Sequence, residues 1–211
     1  MARNYKELFG VDYPSVTTIL NFYPKGQGFY NWLMIKGKDE SERIKTEAGK
    51  TGHYIHTAIE NILKGEELDS TYLTKKEEQL LNVFIDWWTK LKKEHKVKIL
   101  DIEKPVINRI HKYVGTIDLV ISIDKQLWII DIKTSNYISN TFALQLSAYK
   151  HALLEEQPKG LRPGYGFINT TNYKLGIFHL KSNEFREVED EFETFLAVKR
   201  IFDYENSRVK L

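Results

Sequence analysis

The chain has 211 residues, 42% hydrophobic and 28% charged, with a formal net charge of +2 at pH 7; it is long enough for a full core and too balanced in charge to demand or exclude a nucleic-acid partner. It contains no cysteine, which removes disulfides, cysteine nucleophiles, thiolate zinc sites and Cys-ligated iron–sulfur clusters together. No apolar run approaches the roughly 18 residues of a membrane span, and Met1 to Glu7 show neither a signal core nor an Arg/Ser-rich presequence, so the expectation is a cytoplasmic protein with no membrane partner.

In chain order, Tyr13-Pro14-Ser15-Val16-Thr17 reads as a helix start with Ser15 as N-cap. The hydroxyls of Ser15 and Thr17 either cap that helix or, with its free N–H groups, grip a phosphate. Lys25 to Gly28 reads as a flexible turn, and Phe29, Tyr30 and Trp32 as core side chains rather than a stacking platform. Glu42 to Leu63 reads as a helix stopped by Gly65. Within it Gly52, His56, Ile59 and Glu60 fall at helical spacing. By itself His56 is an ordinary helix histidine, and Glu60 pairs with Lys64 four residues on.

Thr74 to Glu94 is a second helix whose stripe of Leu80, Leu81, Phe84, Trp87, Trp88 and Leu91 faces a core. Lys90, Lys92, Lys93, Lys96 and Lys98 form either a solvated face or an edge that tracks phosphates. Val97 to Arg109 reads as the first strand, with Glu103 either an ordinary polar residue or a further metal or water-positioning carboxylate, and His111 in a turn.

Thr116 to Ile123 and Leu127 to Thr134 are rich in β-branched residues and flank Asp124-Lys125, the pattern of a β-hairpin. With Asp124 and Lys125 as the turn, Asp118 lies opposite Asp131, and Lys133 shares their face with Val120, Leu127 and Ile129. Ile117, Leu119, Ile121, Trp128 and Ile130 line the other face. A sheet apolar on both faces is covered on both, so charges within it need a partner or a task. A divalent cation resolves the repulsion between the carboxylates, and oxygen ligands suit Mg²⁺ or Mn²⁺.

Ser135 to Asn140 is a polar break. Thr141 to Glu156 is a helix that carries Gln145 and Tyr149 on one face. Pro158 to Pro163 reads as a loop, Gly164 to Thr170 and Tyr173 to Leu180 as strands, and Asn183 to Tyr204 as an amphipathic helix. These elements predict one α/β domain over 1–211: a helical part over about 14–95 and an α/β core over about 97–204, with a mixed central sheet flanked by helices.

Gly115-Thr116-Ile117-Asp118, Asp131-Ile132-Lys133-Thr134 and Gln145-x-x-x-Tyr149 together resemble the PD-(D/E)XK nuclease superfamily, and most of all its RecB-type exonuclease branch. Ile117 stands where the pattern usually has proline. The Q-x-x-x-Y pair is particular to that branch, as is G-x-x-x-H-x-x-I-E, here Gly52 to Glu60. The P-S-V-T element and the later aromatic-x-W stretch are similar to those of mitochondrial genome maintenance exonucleases and phage relatives. The resemblance implies a restriction-endonuclease-like fold and metal-dependent hydrolysis of DNA phosphodiesters. It assigns His56, Asp118, Asp131 and the Ile132 carbonyl to Mg²⁺ or Mn²⁺, and Lys133 to positioning water or stabilising charge. Gln145 and Tyr149 would orient the lysine, the scissile phosphate or the DNA backbone. It implies no Fe–S cluster here, and a single-stranded DNA partner with a free end, in recombination, repair or replication. Ser15, Thr17, Tyr113, Tyr137, Phe142 and the Lys90–Lys98 cluster are the candidate liners of a DNA passage. A structure- or sequence-specific endonuclease, and a non-catalytic DNA-binding subunit, are the alternatives.

Overall fold

The hairpin that carries Asp118 and Asp131 forms as the turn chemistry demands. Asp124 and Lys125 adopt φ of 49° and 75°, the pair of left-handed residues that a type I′ turn uses to match strand twist. That turn joins β2 (Tyr113–Ile123) to β3 (Gln126–Lys133), in the register Ile123↔Gln126 through Leu119↔Ile130, the register read from the sequence. A computed structural model provides this description for residues 4–67, 73–156 and 172–207.

Around the hairpin, the sheet formed by the described residues is five-stranded, in the order β1-β2-β3-β4-β5. The other strands are β1 (Val97–Asn108), β4 (Tyr173–His179) and β5 (Glu184–Val188). Among these strands β3 and β4 pair in parallel and the other neighbours antiparallel. The β3–β4 crossover includes α6 (Thr141–Glu156), as parallel neighbours require a long connection.

Helices cover both faces. On one, α2 (Val16–Leu20), α6 and α7 (Phe192–Ser207) bury Ile19, Leu146 and Phe195 against Val120, Leu127 and Ile129. On the other, α4 (Lys38–Lys64) and α5 (Lys75–Glu94) bury Ile55, Ile59, Phe84 and Trp88 against Leu119, Ile121 and Ile130. A capping box between Thr74 and Glu77 starts α5, and Gly65, at φ 75°, ends α4. Two short elements precede these layers: α1 (Tyr5–Phe9) and α3 (Gln27–Lys36). Among the described residues no helix is long and apolar enough to cross a membrane.

The strands do not alternate evenly. Ile117 packs in the α6-side core, yet Leu119, two residues on, packs in the α4-side core; the expectation that both line one face fails. Ile102 and Val106 change sides in the same way on β1. The reversal falls at Glu103, whose φ is 48°, and at Asp118 across from it. The sheet is thus broken at the level of its acidic residues.

Three further expectations need correction. Lys25 to Gly28 is not all turn: Gln27 opens α3, and none of that helix is buried, so Phe29, Tyr30 and Trp32 are not core. Asn183 to Tyr204 is not one helix. Asn183, at φ 49°, turns the chain into edge strand β5, and α7 starts only at Phe192. Phe185 and Val188 pack on opposite faces of the sheet, as residues three apart on a strand do. The loop expected at 158–163 and the strand expected at 164–170 lie outside the described residues.

Candidate active site

The site forms where three elements meet the break in the sheet. Gly52 lets α4 come close to the end of β3: a Cβ there would lie 3.3 Å from Thr134 Oγ1. One turn further on, His56 sits against β2, with Nδ1 3.4 Å from Asp118 Oδ2 and 4.0 Å from Glu103 Oε1. Ligand atoms of His56, Glu103 and Asp118 all lie within 4.8 Å of one another. Asp118 reaches across to β3 and accepts a hydrogen bond from Ile132 N (2.8 Å).

Asp131 belongs to an adjoining network. Its buried Oδ2 forms an ion pair with Lys133 Nζ at 2.7 Å. Gln145 Nε2 donates to Asp131 Oδ1 (3.1 Å) and to Tyr149 Oη (2.8 Å), and Gln145 Oε1 accepts from Lys133 Nζ (3.0 Å). The lysine ammonium also stands 4.6 Å over the Phe142 ring. Both networks hang on Gly115. A Cβ there would lie 2.3 Å from Tyr149 Cε1, so only glycine lets the tyrosine ring lie flat against β2.

Electrostatics separate the two aspartates. Burial opposes ionisation of Asp118, but His56, Lys133 and the Ile132 N–H outweigh it and hold the carboxyl below its usual range. Burial pushes Asp131 up to about 6; Lys133 opposes the rise and the charge of Asp118 adds to it. Burial also resists protonation of His56, yet Asp118, with Asp131 behind it, raises the imidazole to about 9 against Lys133. Burial, then Asp131 and Asp118, raise Tyr149 well above the usual phenol, so Tyr149 serves as a neutral hydroxyl.

The cluster opens into a cleft of about 300 Å³ lined by Tyr5, His53, His56, Glu60, Glu103 and Thr116, among others. A cavity of similar size, about 320 Å³, lies between the β1–β2 turn and α7. It holds no acidic cluster, and its Lys199 is tied to Asp203.

The sequence-predicted residues fall into three groups. His56, Asp118, Asp131, Ile132, Lys133, Gln145 and Tyr149 come together, and Glu103 joins them. Asp118 and Asp131 do not face each other in the ladder, which breaks off at Leu119↔Ile130. Ser15 lies beside Val114 and uses its Oγ to accept from Thr18 N (3.1 Å), as a cap does; Thr17 lies 3.0 Å from it. Tyr137 is 67% exposed and Phe142 half-buried.

Tyr113 corrects the expectation of a DNA contact. It is fully buried, it donates to the Ala148 carbonyl (2.9 Å) and it packs edge-on against Phe195, so no base can reach its ring. The lysine cluster is displaced as well. His95 pairs with Asp124 at the hairpin turn, and β3 separates that turn from Lys133 by roughly 20–25 Å at strand rise. No motif singles out Tyr5, whose hydroxyl meets Thr116 Oγ1 (2.8 Å) at the cleft. Glu60 does pair with Lys64 (2.7 Å), but it also lines the cleft.

Among known proteins, a family model for the PD-(D/E)XK nuclease superfamily matches residues 27–208, most of the chain. No curated protein matches significantly.

Proposed function

The chain belongs to the PD-(D/E)XK nuclease superfamily, and from that membership we propose that it is a RecB-type, metal-dependent exonuclease that degrades single-stranded DNA from a free end. The observation that carries the metal-dependent part is the convergence of His56, Glu103 and Asp118 within 4.8 Å beside the buried Asp131–Lys133 pair.

The residues fit a divalent cation. One imidazole and several carboxylates form a donor set for Mn²⁺ or Mg²⁺. Asp131 is buried beside the charge of Asp118, and burial first and then that charge raise its carboxyl even with Lys133 against it, so a further cation would favour its ionised form. His56, Glu103, Asp118, Asp131 and the Ile132 carbonyl would hold the ion. Once bound, a divalent cation supplies an activated water for attack and offsets charge on the phosphoryl oxygens.

The chain's own groups do the rest. Lys133 brings a fixed ammonium to the edge of the site, where it stabilises charge that develops on the phosphate. Gln145 holds that ammonium through Oε1 and holds Asp131 through Nε2. Tyr149 accepts from the same Nε2 and so fixes the amide orientation. As a ligand His56 would act through the neutral imidazole, so it would give up its proton on metal binding.

The end requirement is supported by the two RecB-type signatures, Gly52 to Glu60 and Gln145 with Tyr149. Incubation with Mn²⁺ of a linear and a circular single strand of the same sequence tests it. The linear strand should be degraded to short products while the circle persists. Equal rates on both would make the protein an endonuclease.

A further inference from the structure

Helix α3 has an unusual surface. Its residues are Gln-Gly-Phe-Tyr-Asn-Trp-Leu-Met-Ile-Lys, and none is buried. Tyr30 is 49% exposed, Met34 73% and Ile35 81%, while Phe29 and Trp32 are half-buried. Phe29 lies 5.8 Å from Tyr30 and 5.9 Å from Trp32, centroid to centroid, so the three rings form one continuous group. An apolar helix left this open costs free energy unless something covers it.

Charge identifies the occupant. Between Asp12 and Asp39 the chain has no acidic residue, although it has 29 in total. The same stretch carries Lys25, Lys36 and Lys38. The acids of the adjoining first half of α4 are balanced locally: Arg43 binds Glu40 and Glu47, and Lys45 binds Glu42. The Lys45 ammonium also stands 5.6 Å over the Phe29 ring. Aromatic rings flanked by lysines, on a stretch that has no carboxylate of its own between residues 12 and 39, suit a polyanion with flat apolar faces. That is unpaired nucleic acid, whose bases stack on aromatic side chains while lysines follow the phosphates.

Position agrees. Gly37 joins α3 directly to α4, and α4 carries Gly52 against Thr134 and His56 against Asp118. From Lys45 to His56 is about 16 Å at helical rise, a distance that a few stretched nucleotides span. We infer that Phe29, Tyr30 and Trp32 form a stacking platform that holds single-stranded DNA on its way to the acidic cluster, an inference that rests on the nuclease reading.

The test separates the platform from the chemistry. A fluorescently labelled linear oligothymidylate is titrated with the full chain in EDTA, so that nothing is cut. The triple variant Phe29→Leu, Tyr30→Leu, Trp32→Leu keeps the apolar surface but loses the rings. It should bind about tenfold or more weakly, since the bases lose the rings on which they stack. A second variant, Tyr30→Phe with Trp32→Phe, keeps rings and should keep affinity. Hydrolysis of the nitrophenyl ester of thymidine 5′-phosphate with Mn²⁺, which needs no platform, should be the same in all three and reports the nuclease reading separately. Unchanged oligothymidylate affinity in the leucine variant overturns the inference. So does light scattering that shows the parent as a dimer and the leucine variant as a monomer, because α3 would then be covered by a second copy.

Discussion

At the scale of single residues, His56 links the site to pH. In the metal-free protein its pKa is raised from 6.5 to about 9, because Asp118 and Asp131 outweigh the cost of its burial. A group raised on folding adds stability that is fully present below its unfolded pKa and is lost as pH rises through the folded one. The metal-free protein should therefore lose thermal stability between pH 6.5 and about 9. His56→Gln should flatten that decline, as melting curves in EDTA across the interval would show. A decline of equal size in His56→Gln would mean that another group carries it. Asp118, Asp131 and Lys133 were legible from sequence because turn chemistry fixed the hairpin register. Tyr113 was not. A buried tyrosine and a base-stacking one have the same local sequence, and only the packing of α6 and α7 decides between them. Glu103 was ambiguous for a related reason. Its role depends on a backbone reversal at φ 48° that β-branched patterning does not encode.

At the scale of elements, the site depends on how closely α6 approaches β2. Gly115 sets that distance, since any Cβ there meets the Tyr149 ring at 2.3 Å. Gly115→Ala should displace Tyr149, loosen Gln145 and its hold on Lys133, and destabilise the fold by about 1–3 kcal/mol as overpacking does. Urea unfolding measures the stability loss, and a midpoint equal to that of the parent would show that β2 and α6 separate freely. Most elements could be read from periodicity and caps: α5 from its capping box, α6 from its helical spacing, and β2 and β3 from their β-branched runs. Two could not. α3 begins at Gln27 within a glycine-rich stretch that reads as turn. β5 is short, charged and at a sheet edge, and its charges resemble the solvent face of a helix until the turn at Asn183 is known.

At the scale of the whole molecule, the mixed sheet concentrates the chemistry at one end of β3. Asp131 and Lys133 project there, α4 crosses with His56, and the break in β1 and β2 adds Glu103 and Asp118. Topology also removes the Lys90–Lys98 cluster from that end, which sequence spacing had no means to show because it depends on the end of α5 packing against the β2–β3 turn. What remains near the site is an acid-free, aromatic N-terminal stretch and a set of carboxylates too close together to be left unpaired. The account stands or falls on their need for a divalent cation. Cleavage of a labelled linear single strand should fall to the level of buffer alone in excess EDTA and return when Mn²⁺ or Mg²⁺ is added back. Undiminished cleavage in EDTA would contradict it.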